Sequence, residues 1–254
     1  MSLLEIKSVT KQFDGLAALH QVSFDVQGAA IGGLIGPNGA GKTTLFNVIT
    51  GFYSPSGGDI VYKGRSISGL RPDQISRVGI ARTFQQNVLF LQESVLENVM
   101  IGFFRHYKQP AWKAILKTTS FREEERTVRQ KVEELLDLMG LSPLKDELAI
   151  NLPHGYQRIL GICIALGADP ELLLLDEPLT GMNPTEASSM VDLIRKIREM
   201  GKTVLVVEHN MKAVMTLCER IIVLNHGRKI AEGGPAEIVN HPDVIEAYLG
   251  RDEE

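Results

Sequence analysis

The chain has 254 residues, enough for one large domain or two small ones. Hydrophobic residues make up 44% and charged residues 23%, and the formal net charge of −4 lacks the basic excess of a nucleic-acid binder. Only two cysteines are present, Cys163 and Cys218, both in apolar stretches; this excludes a disulfide framework and predicts reduced core thiols.

The first thirteen residues hold no long apolar stretch, so no secretory signal is expected. Residues 4–9 and 19–26 alternate in polarity and predict strands. Residues 30–35 predict a strand that runs into a glycine-rich turn, followed by a helix over 42–50. A further strand over 59–62 leads to a turn at Lys63-Gly64. Residues 121–139 form an amphipathic pattern, with Val128, Val132, Leu135, Leu136 and Met139 on one face and Gly140 as the cap. The charges on its other face read as a solvated surface.

Residues 172–175 and 204–207 are continuous apolar runs, as in strands buried on both faces of a parallel sheet. Between them, 185–200 has helical spacing and ends at Gly201. Residues 220–224 read as a strand leading to a turn at His226-Gly227 and are grouped with the early strands as an antiparallel element. The expectation is an α/β core over 1–86 and 159–254, with a helical insertion over 87–158. The most apolar runs fall well short of the ~20 residues of a membrane span, so any membrane role comes through partners.

Gly36-Pro37-Asn38-Gly39-Ala40-Gly41-Lys42-Thr43 fits G-x-x-x-x-G-K-[ST] between a strand and a helix. Such glycines let the backbone curl so that its N–H groups, joined by a helix N-terminus, face phosphate oxygens. Lys42 adds a positive charge, the Thr43 hydroxyl is a candidate Mg²⁺ ligand, and Thr44 is counted with the binding residues. Asp176-Glu177 ends the strand of four leucines. A parallel strand delivers such residues to the site edge, where Asp176 suits Mg²⁺ and Glu177 suits orienting or deprotonating an attacking water.

From roughly residue 3 to 250, the order of motifs resembles the ATP-binding subunits of ABC transporters, a P-loop NTPase (RecA-like) fold with an antiparallel β subdomain and an inserted helical subdomain. The resemblance implies that Phe13 stacks on adenine. It makes Thr83-Phe84-Gln85-Gln86 the glutamine loop, with Gln85 reaching the Mg²⁺ and the water. Residues 151–157 take the place of the signature motif, Gly181-Met182-Asn183-Pro184 the loop after the acidic strand, and His209 the switch histidine. Finer wording, including Gly79-Ile80-Ala81-Arg82-Thr83-Phe84-Gln85 and the closing 246–250, is similar to importers of branched-chain amino acids and their relatives.

The signature departs from the usual L-S-G-G-Q. Leu152, Pro153, His154, Gly155 and Tyr156 stand where the family contacts the γ-phosphate held by the opposite subunit. Pro153 offers neither hydroxyl nor N–H, although proline suits a helix's first turn. Ile164 replaces a common arginine, and Asn183 replaces an acid.

The family reading implies ATP and Mg²⁺ as cofactors, with Glu177, His209 and Gln85 catalytic. It implies a second ATP-binding subunit, alike or related, and transmembrane permease subunits, with a solute-binding protein if the system imports. Its location would then be cytoplasmic, on the inner face of the membrane, and 88–91 would suit the permease contact. Two alternatives stay open: a degenerate regulatory subunit with weak hydrolysis, and a soluble non-transport ABC ATPase.

Overall fold

The computed structural model describes residues 2–83, 89–106 and 118–249. The chain divides into two compact units, Met1–Arg82 with Glu171–Glu254, and Thr83–Pro170.

The first unit holds two sheets. Strands β1 (Ser2–Phe13), β2 (Leu16–Gln27), β4 (Gly57–Tyr62) and β5 (Arg65–Ser66) form an antiparallel sheet in the order β2-β1-β4-β5. Their alternating pattern buries Leu4, Ile6, Val9, Leu19, Val22 and Ile60 in one core. The turns Asp14-Gly15 and Lys63-Gly64 both place two successive residues at positive φ, the backbone that a two-residue hairpin requires.

The second sheet has the order β10-β9-β3-β8-β7-β6. It contains β3 (Ile31–Ile35), β6 (Ile80–Arg82), β7 (Leu172–Asp176), β8 (Thr203–Val207), β9 (Arg220–Asn225) and β10 (Arg228–Gly233). β3, β7 and β8 are buried at every residue, which explains their unbroken apolar sequences. Full burial of each leucine in β7 contributes about 1.5–3 kcal/mol. Between the strands and after them run α1 (Lys42–Ile49), α2 (Pro72–Val78), α6 (Pro184–Glu199), α7 (Met211–Leu217), α8 (Pro235–Val239) and α9 (Pro242–Leu249).

One expectation is corrected here. Residues 220–225 do not join the antiparallel sheet; β9 runs parallel to β3 and extends the core, and only its hairpin partner β10 is antiparallel. The reason is burial. Ile221 to Leu224 are all buried, as a strand flanked on both sides requires, whereas a half-exposed antiparallel strand alternates.

The second unit packs α3 (Val95–Gly102), α4 (Thr119–Leu138) and α5 (His154–Gly167). α4 turns Val128, Val132, Leu135 and Leu136 inward, and Met139 and Gly140 close it. α3 starts in a capping box between Ser94 and Glu97. α3 and α5 meet backbone to backbone. A Cβ on Gly102 would lie 2.2 Å from the Ile164 carbonyl oxygen, and one on Gly167 would lie 2.7 Å from the Gly102 carbonyl carbon. The compact unit Thr83–Pro170 contains the whole of α5 with the helix it packs on. No helix among the described residues is long and apolar enough to cross a membrane.

Candidate functional site: a phosphate loop and the strand ends beside it

The loop between β3 and α1 is wound by Gly36, Gly39 and Gly41, with φ of 149°, 80° and 102°. Gly36 and Gly41 also have no room for a side chain. A Cβ on Gly36 would sit 2.1 Å from the Leu224 carbonyl oxygen, and one on Gly41 2.7 Å from that of Ala18. The loop is thus clamped against β9 and the β2 strand, while Asn38 and Gly39 stay exposed at its tip. Within it, Ala40 N–H donates to the Pro37 carbonyl at 3.1 Å. Lys42 lies almost buried and folds back over the curl, donating to the carbonyls of Gly36 (2.7 Å) and Pro37 (3.0 Å). Burial lowers its pKa below the ordinary ammonium value, and the charges of Glu177 and Asp176 oppose that shift. An ammonium held so, at the start of a helix, is prepared for an anion. Thr43 is exposed and Thr44 half-buried on the first turn of α1.

Asp176 ends β7, 3% exposed, and its Oδ2 takes a 2.7 Å ion pair from Arg82 Nη2 at the end of β6. Glu177 follows at φ 50°, its N–H donating to the Val207 carbonyl at 2.9 Å and its carboxylate partly open. His209 Nδ1 stands 3.9 Å from Glu177 Oε2 on an exposed ring. Glu208, which precedes His209 just after β8, is 1% exposed, and its carboxylate accepts from the N–H groups of Leu179 (2.7 Å), His209 (3.1 Å) and Asn210 (3.3 Å). That one side chain joins the turn after β7 to the turn after β8. Asn183 caps α6 by accepting from Thr185 and Glu186 N–H, so the residue that replaces an acid here works as a helix cap.

Phe13, at the end of β1, is 37% exposed and meets Tyr53 edge to face at 5.1 Å, with the Lys11 ammonium 4.8 Å from its ring. In the helical unit, Pro153 is the N-cap of α5, and no side chain caps that end. Pro153, His154 and Tyr156 are exposed, Gly155 is half-buried, and Leu152 is buried as packing. Gln157 fixes this turn by donating to the carbonyls of Ala149 and Leu152. Gln85 lies outside the described residues.

The family model described as ABC transporter matches residues 19–180. The chain belongs to the ABC transporter family. A second model, described as branched-chain amino acid ATP-binding cassette transporter, matches residues 228–254. The chain is 42% identical to the high-affinity branched-chain amino acid transport ATP-binding protein LivG of Salmonella typhimurium, over 98% of each chain. It is 41% identical to the corresponding BraF protein of Pseudomonas aeruginosa, again over 98% of each. Among solved structures it resembles a nucleotide-free ATP-binding cassette from an ABC transporter, with a TM-score of 0.86, 33% identity, and 98% and 100% of the two chains covered. It also resembles a dimeric cassette in a post-hydrolysis state bound to ADP and Pi, with a TM-score of 0.76, 26% identity, and 91% and 98% covered. The fold is that of an ABC ATPase cassette, and such a domain binds nucleotide and hydrolyses ATP.

The donors in this ABC cassette fit a magnesium ion. Among the described residues no three His, Cys, Asp or Glu are grouped to hold a metal by themselves. A threonine hydroxyl and one strand-end carboxylate instead suit a hard cation that takes its remaining oxygens from phosphate and water. Two contributors were missed in the sequence: Arg82 and Glu208. Arg82 stands at the end of a short apolar run, as Asp176 does, and that position was the available signal.

Proposed function

We propose that this ABC ATPase powers the import of branched-chain amino acids as one of two cassettes docked on membrane permease subunits, with a solute-binding protein delivering the solute. The observation that carries this reading is the likeness, along nearly the whole of both chains, to branched-chain amino acid transport ATP-binding proteins. The dimeric cassette among the structural relatives supports a paired arrangement. The second cassette is either another copy or a related chain, and the docked pair would lie on the inner face of the membrane.

In this reading ATP lies on the phosphate loop with adenine against Phe13. Lys42 and the loop amides bind its phosphates; Thr43, Asp176 and Gln85 would hold Mg²⁺, which would supply positive charge beside the phosphoryl oxygens. Glu177 orients and deprotonates the attacking water, and His209 supports the charge that develops. Leu152, Pro153, His154, Gly155 and Tyr156 of the second cassette close over the γ-phosphate. Pro153 withholds a hydroxyl and an N–H there, which favours a second reading, a nucleotide-binding regulatory subunit with weak turnover.

Purification from membranes with its bound partners, followed by reconstitution into vesicles, tests the proposal. ATP-driven uptake of leucine, isoleucine or valine is expected, dependent on the solute-binding protein. ATP turnover without uptake of any of the three would refute the solute. Single-turnover hydrolysis within the complex separates the engine from the regulator.

A further inference from the structure

Arg82 is built into the site more firmly than a surface ion pair requires. Its Nη2 contacts Asp176 at 2.7 Å, its Nη1 donates to Asn47 Oδ1 at 2.6 Å, and its guanidinium carbon lies 5.4 Å from the centre of the Phe46 ring. Both side chains of the pair are nearly sealed from water, at 6% and 3% exposure. Asn47 and Phe46 belong to α1, the helix that starts at Lys42, so one planar cation links the phosphate-loop helix to the ends of β6 and β7. Arginine suits this role because its fork bonds an amide and a carboxylate at once and its face packs on an aromatic ring.

The partner of this cation is the carboxylate that the proposed function assigns to the metal. A buried carboxylate without a counter-charge is strongly disfavoured, and Arg82 supplies that charge at contact distance. Lys42 is a second, more distant cation that feels Asp176. A divalent ion arriving at Asp176 therefore meets a positive charge that Asn47 and Phe46 hold in place. Short-range repulsion of this kind is large where water is excluded.

We propose that Arg82 is a positioning residue that serves as the standing counter-cation of Asp176: it orients the carboxylate and keeps bare divalent ions weakly bound, so that metal enters with the triphosphate. This rests on the assignment of Asp176 to the metal. The guanidinium is the tenant of the carboxylate before nucleotide arrives, and the extra negative charge of the triphosphate is what admits a second cation.

Mn²⁺ binding to the full chain, followed by electron paramagnetic resonance with and without a non-hydrolysable ATP analogue, tests this. Arg82→Met is expected to bind Mn²⁺ alone about tenfold more tightly than the wild type, because the opposing charge is gone. Its lowered melting temperature is expected to recover on adding Mn²⁺. Arg82→Lys keeps the charge and is expected to stay near the wild-type affinity. If Arg82→Met does not fold, Arg82→Gln, which keeps hydrogen-bond donors and loses the charge, carries the same expectation. Unchanged or weaker Mn²⁺ binding in the uncharged variant would overturn the role and leave Arg82 a plain structural tie. Asp176→Asn separates the two levels: unchanged Mn²⁺ affinity with the analogue present would sink the metal assignment itself.

Discussion

The two units use buried polarity in opposite ways. In the first unit, charged groups lie under the surface: Lys42, Asp176, Glu208 and the Arg82 guanidinium. Each is answered, by carbonyls, by an opposite charge, or by amide hydrogens. In the helical unit the one buried polar residue among those described is Asn98, which is neutral. Its amide accepts from Phe90 N–H at 2.9 Å and donates to the carbonyls of Phe90, Glu93 and Ser94. Both units leave large apolar side chains exposed, among them Phe90, Leu91, Ile101, Phe104 and Ile150 in the second and Leu16, Phe52 and Val239 in the first. The first unit thus holds charge away from water, and among its described residues the second buries only neutral polarity. A change in the first should alter chemistry before stability, and a change in the second the reverse.

The sharpest test of that contrast is Glu177→Gln. It preserves shape at a residue held at φ 50° and removes a base, so ATP hydrolysis should fall by about 10²-fold or more while ATP binding survives. Unaltered turnover would remove Glu177 from the mechanism. Next comes Lys42→Ala, which deletes a charge-assisted donor to the phosphates. Nucleotide affinity measured by calorimetry should drop about 100-fold, with little change in melting temperature. Wild-type affinity would discredit the loop as the binding site.

In the helical unit, Asn98→Ala leaves a buried N–H and several carbonyls without their partner. It should cost about 1–3 kcal/mol in denaturant unfolding and leave ATP affinity of the folded protein unchanged. A loss of ATP affinity without loss of stability would break the division of labour drawn above. The smallest effect is on the cysteines. Burial raises both thiols, Cys218 to about 12, so neither should be alkylated near pH 8 until the chain unfolds. Rapid labelling of the folded protein would contradict their burial.

The contrast also sorts what a reader of the sequence could see. The phosphate loop is local: eight consecutive residues and their flanking elements state its geometry, and the glycine φ values follow the motif. The same holds for the acid pair on its apolar strand and for the amphipathic face of α4. What stayed hidden depends on partners far along the chain. Arg82 meets Asp176 across 94 positions, and Glu208 meets Leu179 across 29. The placement of β9 in the core was illegible for a related reason. Residues 220–224 read equally as a hairpin arm, and only the presence of β3 alongside decides. The signature region shows both cases: its helix was visible, while the burial of Leu152 was not.

The glycine crossing of α3 and α5 has a mechanical consequence. Two helices separated by a layer of side chains can slide or roll by rotamer exchange, as bearings do. Gly102 and Gly167 remove that layer, and main chain rests on main chain at distances that admit no added methyl. A push on α3 is therefore delivered to α5, and to the turn at its tip, with almost no play. The joint behaves as a weld, and a single methyl group at Gly102 would pry it open.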